Sequence, residues 1–438
     1  MPLNPREAAF RTVLELEMKG TPSGTLTDSI SLSPFADRRD RALSVNIFLG
    51  TVRYRLLLEA VIARYSNTPL KKLDRSVRIL LETAFYQMLF LDRIPDHALV
   101  DETVRLAHQH CARAVRFVNA VLRRAAADPE RDAWFKDPAA LPLHVRCSAD
   151  KGLTDRLTAE YGEGFTEAFL RFSEPAPVIC LQVNRLKISF GNYLHLLENA
   201  AVEYTVTEEG RSVSVESCAV RELPGYEEGL FFVQDPAAAS CSRIAGICPG
   251  QNVLDACAAP GGKSFSAAMA LEETGSILAQ DISEKKIGRI RESAERLGIM
   301  NLEASAADAR VYDPALDSRF DVVLADVPCS GFGVIAKKPE IRYKKLEEVQ
   351  NLPQIQLAIL ENLSRYVKPG GTLLYSTCTV LEEENEQVVR RFLEGHPEYR
   401  PEDFTVRGET SENGMLTFWP QLHGTDGFFA AKLIRKAP

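Results

Sequence analysis

Three short segments carry the side chains able to do covalent chemistry. Cys329 stands in Asp326-Val327-Pro328-Cys329-Ser330-Gly331 and Cys378 in Ser376-Thr377-Cys378-Thr379. Both lie downstream of a glycine loop, Asp255-Ala256-Cys257-Ala258-Ala259-Pro260-Gly261-Gly262-Lys263. An apolar run leads into each segment. In an open parallel sheet the ligand crevice lies outside the strands' carboxyl ends, so the two thiols can share one crevice with whatever the loop holds. Either thiol could serve as a nucleophile in a partly exposed, electropositive site, and their residue types do not rank them. A thiol pair is equally open to redox or metal chemistry. The nine cysteines, however, include no Cys-x-x-Cys pair, which supports neither a disulfide framework nor a zinc site, and no metal is expected. Cys111, Cys147, Cys180, Cys218, Cys241 and Cys248 are expected to be small buried hydrophobes.

The glycine loop lacks the dispersed Gly-x-Gly-x-x-Gly of a dinucleotide fold. Gly262-Lys263-Ser264 is not a phosphate-cradling loop either, because the earlier glycine would fall at 257, which is cysteine. A nucleoside cofactor without a polyphosphate fits better. Asp281, 20 residues past Gly261, is placed to accept hydrogen bonds from ribose hydroxyls, and Asp308 could meet an adenine amino group.

Alternating signals build the elements behind these residues. Strands are expected at 252–256, 276–280, 302–305, 321–325 and 372–375, with helices at 284–297 and 352–367, the latter stopped by Lys368-Pro369-Gly370-Gly371. That alternation predicts a mostly parallel sheet covered on both faces. Short β-branched runs at 178–186, 202–206, 213–215 and 231–233 surround a helix at 193–200, which describes a small α+β module. Residues 5–128 read as helices only, one of them opening at Thr68-Pro69. Phe117 to Arg124 combines an apolar face with a basic edge, and 128–148, with Pro129, Pro138 and Pro142, reads as a linker to a helix at 152–172.

The 438 residues, 45% hydrophobic and 26% charged, suit a soluble multidomain protein. No apolar run is long enough to span a bilayer and the first residues lack a leader pattern, so a cytoplasmic protein without a membrane partner is expected. The net charge of −8 hides an asymmetry: residues 1–140 hold 21 Lys+Arg against 17 Asp+Glu, leaving 31 against 43 downstream. A basic module beside an acidic body suits a polyanion held at one face, although a solvated helical surface accounts for the charge equally well.

Together, Asp255 to Lys263, Asp308-Ala309-Arg310, Asp326 to Gly331 and Ser376 to Thr379 closely resemble the motifs of S-adenosylmethionine-dependent RNA cytosine-5 methyltransferases. Val118 to Arg124 looks like the end of a NusB-type RNA-binding domain. Val183-Asn184-Arg185 and Phe232-Val233-Gln234-Asp235 resemble the flanks of an RRM-like module. The set points to the RsmB/Sun/Fmu type. The resemblance implies an α/β chain: an all-α NusB-like domain at 1–140, a linker helix with an α+β module at 141–235, and a Rossmann-like catalytic domain with a mostly parallel seven-stranded sheet at 236–438. It further implies methyl transfer to a cytosine of 16S rRNA, free or partly assembled into a subunit, by a monomer. Cys378 would be the nucleophile, Cys329 would assist proton removal and release, Asp326 would contact the base, and Lys263 would partner a carboxylate. S-adenosyl-L-methionine would be held by Cys257, Ala258, Ala259, Pro260, Gly261, Gly262, Lys263, Asp281, Asp308 and Asp326. Val327 and Phe332 replace the family's usual alanine and threonine without removing a reactive atom. The run Lys337-Lys338-Pro339-Glu340-Ile341-Arg342-Tyr343 could guide the strand. A small-molecule methyltransferase would explain the glycine loop but not two cysteines and a basic helical domain. An assembly factor would require a broken site, whereas both cysteines, Asp326 and the loop are present, and an NAD-dependent oxidoreductase would need the missing fingerprint.

Overall fold

Capping and apolar spacing build the helical part of the chain. Asn4 accepts from the backbone N–H groups of Arg6 and Glu7, and Pro5 opens the helix Pro5–Lys19. The computed structural model describes residues 3–35, 37–92, 94–137, 140–172, 178–208, 210–216 and 219–437. They fall into two compact units, 1–176 with 335–346, and 177–334 with 347–438.

In the first unit the helix Arg75–Phe90 is buried on nearly every side from Ile79 to Met88, which marks it as the central element. Gly50 lets the helix Arg38–Arg53 approach it, since a Cβ there would lie 1.9 Å from the Tyr86 ring. Glu82, fully buried on the central helix, pairs with Arg78 at 2.6 Å. The central helix does not open at Thr68-Pro69. Leu70–Lys72 forms a single 3₁₀ turn, Leu73 is extended, and the helix begins at Arg75. The region 152–172 is two helices, Lys151–Tyr161 and Glu163–Phe172, because Gly162 at φ 84° breaks the backbone between them. Within the expected linker, Arg131–Lys136 and Leu143–Arg146 are short helices, and Pro138 lies outside the described residues.

The second unit opens with four antiparallel strands: β1 (Ile179–Val183), β2 (Tyr204–Glu208), β3 (Ser212–Val215) and β4 (Phe231–Val233). They lie in the order β2-β3-β1-β4. The helix Phe190–Asn199 buries Tyr193 and Leu197 against Leu181, Val213 and Phe231.

The larger sheet contains β5 (Asn252–Asp255), β6 (Ser276–Asp281), β7 (Leu302–Ala306), β8 (Phe320–Asp326), β9 (Val367–Thr377) and β10 (Tyr399–Pro401). A two-stranded ribbon, β11 (Thr405–Val406) and β12 (Glu409–Thr410), precedes β13 (Met415–Phe418) and β14 (Phe428–Arg435). Seven strands run in the order β10-β14-β9-β8-β5-β6-β7, and β13 pairs with β14 as an eighth. The five from β5 to β9 pair in parallel, whereas β14 and β10 are antiparallel. Alternate residues feed cores on opposite faces: Val253 and Val322 pack with Phe265 and Ile287, while Leu254 and Val323 pack with Leu357 and Leu360.

Lys368-Pro369-Gly370-Gly371 does more than stop a helix. The helix ends at Ser364, and these residues form a bulge inside β9, where Val367 pairs with Phe320 but Thr372 already pairs with Val322. Gly370 sits at φ 79°, in the left-handed region that a bulge of this kind requires. Among the other cysteines, Cys147, Cys180 and Cys241 are buried and Cys111 is half-buried, but Cys248 is exposed on the loop before β5; Cys218 lies outside the described residues. No helix among the described residues is long and apolar enough to cross a membrane.

Candidate active site

Chain order places β6 on one side of β5 and β8 on the other, so the sheet's switch point falls at the carboxyl end of β5. The glycine loop leaves the sheet there and runs into the helix Gly262–Leu271. Gly261 adopts φ 111°, and a Cβ on it would lie 2.5 Å from the Phe265 ring, so this turn requires glycine. Two backbone bonds set the loop's course, Ala258 N–H to the Gln280 carbonyl at 2.7 Å and Gly261 N–H to the Ala258 carbonyl at 2.6 Å.

A crevice of about 320 Å³ opens along the carboxyl ends of β5 to β8. Cys257, Ala259, Asp281, Asp308, Asp326, Cys329 and Cys378 line it. Ala258, Pro260, Gly261, Gly262 and Lys263 do not, and shape the loop from behind. The sequence reading did not single out Ile282, Lys286, Pro328, Ile355 or Ile359 as lining. Ile282 is 65% exposed immediately after a strand-end acid, a large apolar surface that a flat ring could cover.

The strand-end acids differ in their surroundings. Asp255 is fully buried, accepts from the Ser264 hydroxyl at 2.6 Å, and has its second oxygen unpartnered; burial pushes its carboxyl up to about 7. Asp281 accepts from the Ser283 N–H with one oxygen, which leaves the other available at the crevice wall. Asp308 is held by the side chain and backbone N–H of Arg310, and those bonds draw its carboxyl below the ordinary range. Asp326 is fixed by two donors, the Lys263 ammonium at 2.7 Å and the Ser376 hydroxyl at 2.9 Å. Burial opposes the Lys263 charge, but the Asp326 carboxylate outweighs it and holds the ammonium above its usual range.

The loops carrying Cys329 and Cys378 are laced together. Asp326 pairs with Ser376 across β8 and β9, the Ser330 and Thr379 hydroxyls meet at 2.7 Å, and the Gly333 N–H donates to the Cys378 carbonyl at 2.9 Å. Cys329 Sγ and Cys378 Sγ stand 3.3 Å apart, both half-buried. Contact with Cys378, then burial, raises the Cys329 thiol well above its ordinary range, and at this separation either thiol can donate to the other. Cys257, also at the crevice, is raised by burial and the surrounding carboxylates, which leaves it a poor nucleophile. Beneath Cys329, the buried Glu384 accepts from the Ser330 N–H at 2.9 Å and the Gln356 amide at 2.8 Å. Its place within Glu382-Glu383-Glu384 carried no signal of that role.

Within the run Lys337 to Tyr343, Lys338 is exposed, but Arg342 and Tyr343 are not available to guide a strand. Arg342 is 1% exposed and donates to the carbonyls of Cys147, Ser148 and Leu170, while Tyr343 donates to those of Val52 and Arg53, all within the first unit. The Arg342 charge and the Tyr343 ring serve packing.

A family model described as 16S rRNA methyltransferase RsmB/F matches residues 247–434, the NusB family matches 3–127, and the RsmF/B-like ferredoxin-like domain matches 151–216. The chain is 33% identical to a probable ribosomal RNA small subunit methyltransferase B of Bacillus subtilis (strain 168), over 98% of each chain. This chain belongs to the RsmB/F methyltransferase family. Ribosomal RNA small subunit methyltransferase B of Pseudomonas putida is 34% identical over 99% of each chain. The crystal structure of PH0851 superposes with a TM-score of 0.83 at 25% identity over 99% of each chain. RsmB/F methyltransferases depend on S-adenosylmethionine, and the crevice fits that cofactor. An apolar wall at Ile282, an available Asp281 oxygen and a turn without a phosphate cradle suit a nucleoside.

Proposed function

We propose that this RsmB/F methyltransferase modifies carbon 5 of a cytosine in 16S ribosomal RNA through a covalent bond between Cys378 and carbon 6. The observation carrying this reading is the pair of thiols 3.3 Å apart at the cofactor crevice. The names of the relatives supply the RNA.

Asp281 and Asp308 would hold the cofactor's ribose and adenine ends, with the backbone of Cys257 to Ala259 beneath it. Bound there, S-adenosylmethionine supplies an electrophilic methyl group. Carbon 5 of cytosine is a poor nucleophile until the ring's aromaticity is broken. The Cys378 thiolate does this by forming a bond to carbon 6, which shifts the ring's π pair toward carbon 5. The Cys329 S–H stabilises that thiolate beforehand, which favours Cys378 over Cys329 as the attacker. Asp326, fixed by Lys263 and Ser376, accepts hydrogen bonds from the base's polar edge without having to reorganise.

Once Cys378 is bonded to carbon 6 and carbon 5 has gained the methyl group, the thiolate charge beside Cys329 is gone. Cys329 can then release its proton to water and take the one on carbon 5. The C5–H electron pair restores the ring double bond, the C6–S bond breaks, and Cys378 leaves as thiolate. The target base must leave any stack to reach these groups, which favours an unpaired stretch of RNA. The NusB-like region, about 1–140, and the ferredoxin-like module, within 141–235, would position that RNA for the catalytic domain at 236–438.

Incubating the protein with a labelled methyl donor and 16S rRNA, then mapping the product, tests the reading. The expected product is 5-methylcytosine at one position. Label on another base, or on another atom of cytosine, overturns it.

A further inference from the structure

Away from the crevice, the second unit gathers guanidinium groups around one acid. Arg185 follows β1, Arg211 precedes β3, Arg243 lies on the short helix Cys241–Ile244, and Arg407 sits between β11 and β12. Glu208 serves three of them: one oxygen meets Arg243 and lies 3.3 Å from Arg211, and the other lies 3.6 Å from Arg407. Arg185 is exposed and has no hydrogen bond or ion pair among the described residues. The patch stays positive even when Glu272, the other acid acting on Arg185, is counted. This contrasts with the acidic excess of the chain after residue 140.

The neighbouring charges register the crowding. Desolvation by the surrounding walls and the charge of Arg211 both lower the Arg185 pKa, and Arg243 is lowered by burial despite its carboxylate. Folding like charges together is unfavourable unless a ligand neutralises them. Arg185, Arg211 and Arg243 share a groove floored by Phe232 and Met269 with about 30 Å³ of space. That is room for one or two waters, too little to enclose a nucleotide. A guanidinium fork matches phosphate geometry, and an open groove suits a chain passing over it rather than a small molecule sinking in.

We propose that Arg185, Arg211 and Arg243 form a clamp for backbone phosphates of the RNA that flanks the target base. The assignment rests on the RNA substrate proposed above. Neutralising phosphates releases counterions, so each lost contact flattens the salt dependence of single-strand binding by about 0.7 in log–log slope, or about 5-fold in affinity near 0.1 M salt.

The test compares the full-length parent with Arg185→Gln/Arg211→Gln, measuring the affinity for a single-stranded 16S rRNA fragment from 50 to 200 mM salt. The expected result is a slope lower by about 1.4 in the double variant with S-adenosylmethionine affinity unchanged. Arg185→Gln alone removes no contact that holds the fold; it should lower the slope by about 0.7, and Arg185→Lys should restore most of it. Free inorganic pyrophosphate should compete only weakly, whereas strong competition would assign the patch to a small anion instead. If the parent methylates 16S rRNA but the variants keep its slope and affinity, the clamp is wrong. If the variants lose slope but the parent methylates no ribosomal RNA, the clamp stands and the substrate reading falls.

Discussion

The Cys329 loop and the segment Ile335–Leu346 are neighbours in sequence, both rich in residues that suggest chemistry, and they use those residues differently. In the loop, two thiols remain half-buried beside a crevice, and Asp326 is oriented by Lys263 and Ser376 while still lining that crevice. In the segment, Arg342 spends its donors on three backbone carbonyls and disappears into the first unit. Residue type alone would rank a basic-aromatic run as a binding surface. Whether its polar groups are already satisfied decides otherwise.

The contrast can be broken by substitution on either side. Outside the two thiols themselves, the largest effect is expected from Gly333→Ala. A Cβ there would stand 2.0 Å from the Gly427 carbonyl oxygen and 2.8 Å from that of Cys378, both backbone atoms that cannot swing aside. The Cys378 loop must move, and displacements of about 1 Å cost about 10²-fold or more in turnover. Single-turnover methylation should therefore fall by at least that factor while S-adenosylmethionine still binds. Near-parental turnover would mean that the lacing of the two loops is unimportant.

On the segment side, Arg342→Ala should leave buried carbonyls without donors and destabilise the first unit by about 3–5 kcal/mol. Denaturant unfolding with hydrogen exchange across residues 143–172 would report it. A change below about 1 kcal/mol, or a selective loss of RNA affinity with stability intact, would return Arg342 to a binding role.

A smaller effect follows from Asp255. Its carboxyl titrates near 7 in the folded chain, against 3.8 ordinarily, so the folded state holds the proton more tightly than the unfolded one. Stability from this group is therefore fully present below pH 3.8 and is lost as pH rises through about 7. Asp255→Asn carries no such charge. Over that window it should gain in stability relative to the parent, measured as the difference between their unfolding free energies at pH 5 and pH 8. A constant difference would show that Asp255 is ionised throughout.

Much of the catalytic scaffold was legible because strand and helix periods alternate cleanly and each motif ends a strand. Asp255, Asp281 and Asp326 close β5, β6 and β8, and Cys378 follows β9 by one residue. What escaped was set by contacts distant in sequence. Glu384 gains its role from Ser330, 54 residues away, and the start of the central helix at Arg75 depends on a 3₁₀ turn that proline statistics at 68–69 do not reveal. The bulge at Gly370-Gly371 needed the register against β8 before it could be distinguished from a helix stop. Arg342 looked available because sequence shows charge but not the carbonyls of residues 147, 148 and 170 waiting for it.

Trapping the protein–RNA adduct tests the division of labour between the thiols most directly. Cys329→Ala and Cys378→Ala are each mixed with 16S rRNA and S-adenosylmethionine, then run on a denaturing gel. Cys329→Ala should accumulate a covalent complex that cannot release its RNA, and Cys378→Ala should give none and no methylation. A persistent adduct in Cys378→Ala, with none in Cys329→Ala, would reverse the assigned roles; no adduct in either, with methylation retained by Cys378→Ala, would contradict covalent catalysis through this pair.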